Sequence, residues 1–193
     1  LKSSSNNKNI FLVGCGLIGR EFVLSLLKRG FNVIVGDISK KNIQNLKKKV
    51  EKENFDGKLL IYKCDASNED ELDKTIALSH NQFGRINAVV VAAYPKGKGY
   101  GDKFEDVKME NFLENVTIHQ KLYFCIVQYF YKYFLPYSEG NIVLLSSIYG
   151  SAVPRFEIYE QTEMTTPVEY AIVKAGINQL TRYCATYFSK KGI

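Results

Sequence analysis

The chain has 193 residues, 46% of them hydrophobic and 24% charged, with four cysteines and a formal net charge of +6. This length and apolar content allow one domain with a real core and exclude a disordered chain, a collagen and a disulfide scaffold. No stretch reaches eighteen apolar residues, so no membrane span is expected.

The start, LKSSSNNKNIF, is polar and runs straight into a strand, unlike a signal peptide. NIFLV (9–13) reads as the first strand, followed by an amphipathic helix from Leu17 to Lys28 that Gly30 closes. FNVIVG (31–36) is a second strand, and Ser39 opens a charged helix that runs to Glu53. KLLIYKC (58–64) is a third strand, and residues 68–83 form a helix. INAVVVAA (86–93) is an uninterrupted apolar strand, as expected when both faces are buried. A Gly/Lys loop (95–103), a long helix (106–134), a fifth strand NIVLLSS (141–147) and a last helix (168–189) complete the chain. Strands alternating with helices predict a doubly wound parallel sheet, a Rossmann-type α/β fold in three layers. The end, SKKGI, comes without a closing element, so residues 1–193 are expected to be a single domain of a longer chain whose C-terminal part is missing.

The densest basic run, Lys47 to Lys49, shares its helix with Glu51 and Glu53 and reads as a solvated face. No Arg-rich or aromatic-interleaved stripe marks a nucleic-acid groove. Cys15, Cys64, Cys125 and Cys184 are spaced for neither a zinc site nor a redox pair. Free thiols in a reducing cytoplasm are expected.

Chemistry concentrates at the ends of the strands. Gly14, Gly16 and Gly19 form G-x-G-x-x-G between the first strand and the first helix, where a pyrophosphate needs bare backbone and a helix N-terminus. Leu17 and Ile18 belong to the same turn. Asp37 ends the second strand, eighteen residues after Gly19. A carboxylate there can accept from an adenosine ribose hydroxyl and repel a 2′-phosphate, which favours NAD over NADP, although Lys40 and Lys41 follow. Asp65 could contact adenine or cap the next helix; both readings stay open.

Tyrosine with lysine four residues on occurs three times: Tyr94/Lys98, Tyr170/Lys174 and Tyr187/Lys191. The first spans a Pro/Gly loop and the last runs into Gly192. Only Tyr170/Lys174 lies in the first turns of a helix, on one face. A phenol of pKa near ~10 is a poor base until an adjacent ammonium stabilises the phenolate. Ser147, at the end of the fifth strand, can orient a substrate oxygen at the sheet edge where ligands bind.

The stretches VGCGLIGREF, VIVGDIS, YKCDASNEDEL, INAVVVAAY, NIVLLSSIYG and YAIVKAG, in this order, resemble the short-chain dehydrogenase/reductase family over essentially the whole chain. The resemblance implies Tyr170 as the acid/base, with Lys174 holding the nicotinamide ribose and favouring the tyrosine's phenolate. It implies Ser147 as the substrate-orienting serine, Asp37 on the adenosine ribose and Asp65 on the adenine edge. Ala92 and Ala93 then line the cofactor. AAYP, SSIYG and TTPVEYAIVKAG are similar to the flagellin-modification group of sugar-acting oxidoreductases, which implies a sugar or sugar phosphate substrate.

Three positions depart from the family pattern. The glycine loop is one residue short, with Val13 where Thr is common. The N-N-A-G segment reads Val91-Ala92-Ala93-Tyr94. Counting back from Gln128 to the family's catalytic Asn gives His119, with Asn115 one turn earlier. His119 could relay protons from Lys174, or could bond a backbone carbonyl with Asn115 or nothing as relay.

The reading is therefore an NAD-dependent alcohol/ketone oxidoreductase. The alternatives are a nucleotide-sugar epimerase or dehydratase and a non-catalytic dinucleotide-binding module. Surplus aromatics on the helix 111–134, notably Tyr129 to Phe134, together with the last helix, predict a homodimer or homotetramer with the contact near those residues.

Overall fold

Short β-branched runs and amphipathic segments alternate along the chain, and all five strands assemble side by side. The computed structural model describes residues 8–193, and the polar stretch 1–7, read above as a lead into the first strand, lies outside the described residues. The elements are β1 (Asn9–Val13), α1 (Leu17–Lys28), β2 (Asn32–Asp37), α2 (Lys40–Val50), β3 (Leu59–Lys63), α3 (Glu69–Phe83), β4 (Ile86–Val91), α4 (Met109–Phe134), β5 (Asn141–Leu144) and α5 (Val168–Phe188). The sheet is parallel with order β3-β2-β1-β4-β5. The connection reverses direction between β1 and β4, which opens a crevice at their C-terminal ends.

Alternation along the strands sorts side chains into two cores. Ile10, Leu12, Val33, Val35 and Val90 pack on one face with Val23 and Leu27 of α1 and Leu46 of α2. Phe11, Val13, Ile34, Val89 and Val91 pack on the other with residues of α3, α4 and α5, among them Ile76, Phe130 and Ile177. A central strand buried on both faces favours apolar side chains at successive positions, which is why β1 is apolar from Ile10 to Val13, with Asn9 at its start donating to the Phe83 and Arg85 carbonyls.

Element boundaries shift where local hydrogen bonding wins. β5 ends at Leu144 rather than at Ser147. The chain instead turns, and Ser147 caps a single 3-10 turn over Ile148–Gly150 by accepting from the Tyr149 amide at 3.2 Å. The long helix begins at Met109, because Phe104–Asp106 forms a separate 3-10 turn. The second helix closes at Val50. Lys47 to Lys49 are exposed, and Lys49 pairs with Glu21 at 3.0 Å.

The expected contact zone at Tyr129 to Phe134 is corrected. Phe130 and Phe134 are fully buried against the sheet, with Phe130 edge-on to Phe11 at 5.2 Å. Tyr133 is tied to its own subunit, its hydroxyl accepting from the Ile86 amide at 2.9 Å and bonding His80 at 2.7 Å. Tyr131 stacks on Phe188 at 4.2 Å. The large apolar side chains these two helices expose are Met109, Leu113 and Phe124 on α4 and Ile172, Tyr183 and Tyr187 on α5. With 3.6 residues per turn, a helix of 26 residues presents a second stripe on the side away from the sheet.

Phe130→Ala should therefore destabilise the fold by about 3–5 kcal/mol, the range for an emptied aromatic core site. Urea denaturation followed by circular dichroism checks this, and Phe124→Ala should cost far less in the same assay.

Candidate active site

The glycine loop is shaped by contact between backbones. Gly14 takes φ +87°, and a Cβ there would sit 2.6 Å from the Ala93 Cα. A Cβ on Gly19 would overlap the Gly14 carbonyl oxygen and touch the Ala92 methyl at 3.4 Å. Ala92 and Ala93 are thus matched in size to this approach. The Ala92 amide donates to the Val13 carbonyl at 2.8 Å and the Gly14 amide to Gly36 at 2.8 Å. Gly16 is different: the nearest group to its missing Cβ is the Asn42 amide nitrogen at 4.0 Å. Its bare face borders open space instead of packed protein.

α1 starts at that glycine with neither a side-chain cap nor an acidic residue in its first turn. α2 is capped by Ser39 and α3 by Asn68, and α3 adds Glu69, Asp70 and Glu71. The first amides of α1 are left for an anion. Leu17 and Ile18, at its start, are exposed at 80% and 61%. A cavity of about 500 Å³ opens in front of them, lined by Gly14, Gly16, Asp37, Asp65, Ala92 and Ala93 among others.

Asp37 is buried at the end of β2 and does more than face this cavity. Its Oδ2 accepts from the Cys15 amide at 2.6 Å and the Asn42 side chain at 3.3 Å, and its Oδ1 from the Ser39 amide at 2.7 Å. The carboxylate thereby holds the glycine loop onto the sheet and keeps a lone pair on Oδ1. Burial, followed by the Asp37 charge, pushes the neighbouring Cys15 thiol up to about 12, so that thiol is inert. Lys40 and Lys41 are exposed and do not line the cavity.

Asp65 borders the same cavity, and its Oδ1 accepts from the Ser67 amide and hydroxyl at 2.9 and 2.7 Å. The cap of α3 is Asn68, accepting from the Glu71 amide at 3.1 Å. The capping alternative for Asp65 therefore falls away.

At the other end stand Tyr170 and Lys174, one turn apart on α5. Lys174 is 5% exposed, and its Nζ donates to the Leu145 carbonyl at 2.7 Å. Three phenol rings surround it: Tyr94 at 4.9 Å, Tyr170 at 5.7 Å and Tyr123 at 5.9 Å from Nζ to centroid. Burial lowers the ammonium to about 8. Ser146 turns away to donate to the Lys174 carbonyl at 3.0 Å, while the Ser147 oxygen accepts only the Tyr149 amide. The Ser147 hydroxyl hydrogen is free to donate.

His119 and Asn115 separate cleanly. Asn115 is spent on the loop before α4: it accepts from the Gly97 amide at 2.8 Å and donates to the Lys98 and Asn111 carbonyls, both at 2.9 Å. His119 is fully buried, with Nδ1 2.6 Å from the Asn115 carbonyl. That bond puts the proton on Nδ1 and leaves Nε2 as a lone-pair acceptor without a partner. Burial, followed by the Lys174 charge, lowers its pKa, so the ring is neutral.

Tyr94, set aside as a partner of Lys98, enters the site by another route. Its ring lies 4.2 Å from His119 and 5.4 Å from Tyr170. Glu169, passed over in the sequence, is buried beside Tyr170. A charged residue in the first turn of a helix reads as a solvated dipole partner, so only the packing reveals it. Tyr187 is exposed and remote from this cluster, stacked on Tyr183 at 6.0 Å.

A family model described as Enoyl-(Acyl carrier protein) reductase matches residues 17–193. The Post-translational flagellin modification protein A of Campylobacter coli is 34% identical over 181 residues, spanning 93% of this chain and 70% of that protein. The chain belongs to the short-chain dehydrogenase/reductase family. By family it is an NAD(P)-dependent short-chain dehydrogenase/reductase. A Leptospira borgpetersenii short-chain dehydrogenase with bound NAD+ aligns at TM-score 0.79 and 28% identity, covering 97% of this chain and 68% of that one. An NAD+-bound xylitol dehydrogenase matches in fold at TM-score 0.83 and 20% identity, over 99% of this chain and 68% of that one. The residues of this dehydrogenase fit a nicotinamide dinucleotide: a glycine cradle, an uncapped helix start and a buried acid line one cavity. No group of acidic, histidine or cysteine side chains able to hold a metal occurs among the described residues.

The buried lysine gives this reductase a pH signature. Its folded pKa, about 8, lies below its ordinary value of 10.5, so the unfolded chain binds more protons between those pH values. Native stability from this group therefore rises across that window, and the penalty of the buried charge is complete below it. Without cofactor, Lys174→Met should melt higher than wild type at pH 7, and the gap should close towards pH 10. Thermal melts across that range check the sign.

Proposed function

We propose that the protein is an NAD-dependent oxidoreductase interconverting a secondary alcohol and its ketone on a sugar or sugar derivative. The observation that carries this reading is the buried Lys174, held beside Tyr170 next to the loop that bears Ser147. Gly14, Gly16 and Gly19, with the amides of Leu17 and Ile18, would hold the pyrophosphate. Asp37 would take an adenosine ribose hydroxyl on its remaining lone pair, and Asp65 the adenine edge. Ala92 and Ala93 would line the path to the nicotinamide, whose ribose Tyr170 and Lys174 would hold. The bound nicotinamide supplies the acceptor or donor of hydride.

The chain's own residues manage the proton. Ser147 donates to the substrate oxygen and fixes its position. Tyr170 takes the hydroxyl proton during oxidation and returns it during reduction. Lys174, in a low-dielectric pocket, stabilises the phenolate that accepts the proton in oxidation and that remains after the proton is returned in reduction. His119 offers its Nε2 lone pair as the next acceptor beyond Lys174, so the proton can leave without exposing the ammonium to bulk water.

The buried acid at the end of β2, with no lysine in the cavity, supports NAD over NADP. The NAD+ in the 28%-identical Leptospira enzyme agrees. The similarity of AAYP, SSIYG and TTPVEYAIVKAG to sugar-acting relatives supports the substrate class. Unpaired cysteines fit a reducing compartment such as the cytoplasm. No helix among the described residues is long and apolar enough to cross a membrane.

Calorimetry should give tighter binding of NAD than of NADP. Tyr170→Phe should lower turnover by at least the ~10²–10⁴-fold typical of an acid/base group while leaving NAD affinity within a few-fold. Near-normal turnover on a sugar substrate would move the chemistry elsewhere.

The second apolar stripe supports a homodimer, or a pair of dimers, closed by α4 and α5 across a two-fold axis. Phe124→Glu combined with Tyr183→Glu should give a folded monomer by light scattering, because neither side chain enters the core. A dimer that survives both changes would place the interface on another face.

A further inference from the structure

Lys174 is buried without a countercharge. No ion pair among the described residues involves it, and its one hydrogen bond goes to the Leu145 carbonyl at 2.7 Å. A single carbonyl returns only part of what an ammonium loses on leaving water. The other groups with a directed field around it are phenol rings, and Tyr94 is the nearest, 4.9 Å from Nζ to ring centroid. An ammonium within about 6 Å of a ring centroid is attracted by the negative face of the ring, most strongly where water is excluded.

The rings differ in what holds them. Tyr123, 5.9 Å from Nζ, turns its hydroxyl to the Ala93 and Leu145 carbonyls at 3.3 and 3.4 Å. Tyr94 has no such tie, because its buried Oη is without a hydrogen-bond partner. Packing places its ring, with centroids 4.2 Å from His119, 5.4 Å from Tyr170 and 5.7 Å from Tyr100. Burial raises its phenol, so the ring stays neutral beside the ammonium. The titratable groups around Lys174 are thus Tyr94 after β4, His119 and Tyr123 on α4, and Tyr170 on α5, and the Tyr94 ring packs with two of the other three. Tyr149, on the 3-10 turn against α5, and Glu169, on α5 itself, make no bond to the ammonium. Tyr94 also borders the cavity of about 500 Å³, which Tyr170 and Lys174 do not.

We propose that Tyr94 is a positioning residue for Lys174, the face of its ring standing where a carboxylate would otherwise be needed and holding the ammonium, charged, against the Leu145 carbonyl. It acts on the proton only through the lysine. The assignment rests on Lys174 serving Tyr170, but its test reads the lysine without substrate.

The full-length, cofactor-free protein is labelled with ¹³C at the lysine ε-carbon, and the Lys174 signal, identified by its loss in Lys174→Met, is titrated by NMR. The wild-type midpoint should lie at about 8. Two variants are compared with it, Tyr94→Phe and a protein in which trifluorophenylalanine replaces Tyr94. The three rings are close in shape and differ in the negative charge on the ring face, which phenylalanine keeps and fluorination withdraws. Tyr94→Phe should leave the midpoint close to that of the wild type. Trifluorination should lower it by roughly 0.4–1.5 pH units, the strength of a cation–π contact expressed as a pKa shift. A monofluorophenylalanine variant, expected between the two, carries the test should the trifluorinated protein fail to fold.

One midpoint shared by all the rings means that Tyr94 only fills space, and overturns the proposal. A full fall already present in Tyr94→Phe assigns the effect to the hydroxyl and overturns it as well. Either result alongside a Tyr170→Phe protein that has lost turnover removes the Tyr94 assignment alone. Normal turnover in Tyr170→Phe removes the catalytic reading and this one with it.

Discussion

The molecule depends on how closely two pieces of backbone approach at the centre of the sheet. Gly14, at the end of β1, lies against Ala93 beyond the end of β4, and α1 begins where Gly19 passes over the Gly14 carbonyl. Side chains at these glycines would push α1 away from the strands, and the crevice between β1 and β4 would lose its shape. Asp37 fastens the arrangement from the β2 side through the Cys15 and Ser39 amides. One carboxylate thus shapes the loop and remains available on its cavity side. The same contacts that complete the fold produce a surface of bare amides, which is the physical requirement for holding a dinucleotide phosphate.

The surroundings of Lys174 are built on the opposite principle. Its polar groups are buried and left short of partners. Lys174 has one carbonyl and three aromatic faces, His119 keeps a free nitrogen, and Tyr94 and Glu169 keep free oxygens. Each unsatisfied group weakens the native state, and the large apolar cores on both faces of the sheet offset that loss. Low dielectric is the gain, because it strengthens the influence of the lysine on any charge that develops on the neighbouring phenol.

Aromatic residues on α4 divide by register. Phe130 and Phe134 face the sheet, and Tyr133 is anchored by the Ile86 amide and His80. Phe124 lies between buried positions in sequence yet points outward, as do Tyr183 and Tyr187 on the adjacent helix. A density of aromatics measured along the sequence cannot separate these groups. The rotation of the helix against the sheet does.

By itself the sequence determined what depends on short-range pattern. Strand and helix order followed from hydrophobic period, the tight turn between β1 and α1 from glycine spacing, and the placement of Tyr170 and Lys174 one turn apart on a helix from local helicity. These features involve residues within a few positions of one another, so the chain records them directly. Tertiary structure decided the rest. It gave the α3 cap to Asn68 rather than Asp65, occupied Asn115 with the 97–98 loop, and left His119 with a free nitrogen. It also buried Glu169 and set Tyr94 against His119 and Tyr170, which lie far from it in the chain. Whether a tyrosine or a glutamate is solvated or buried depends on what distant segments place over it, and no periodicity along one helix or loop carries that information.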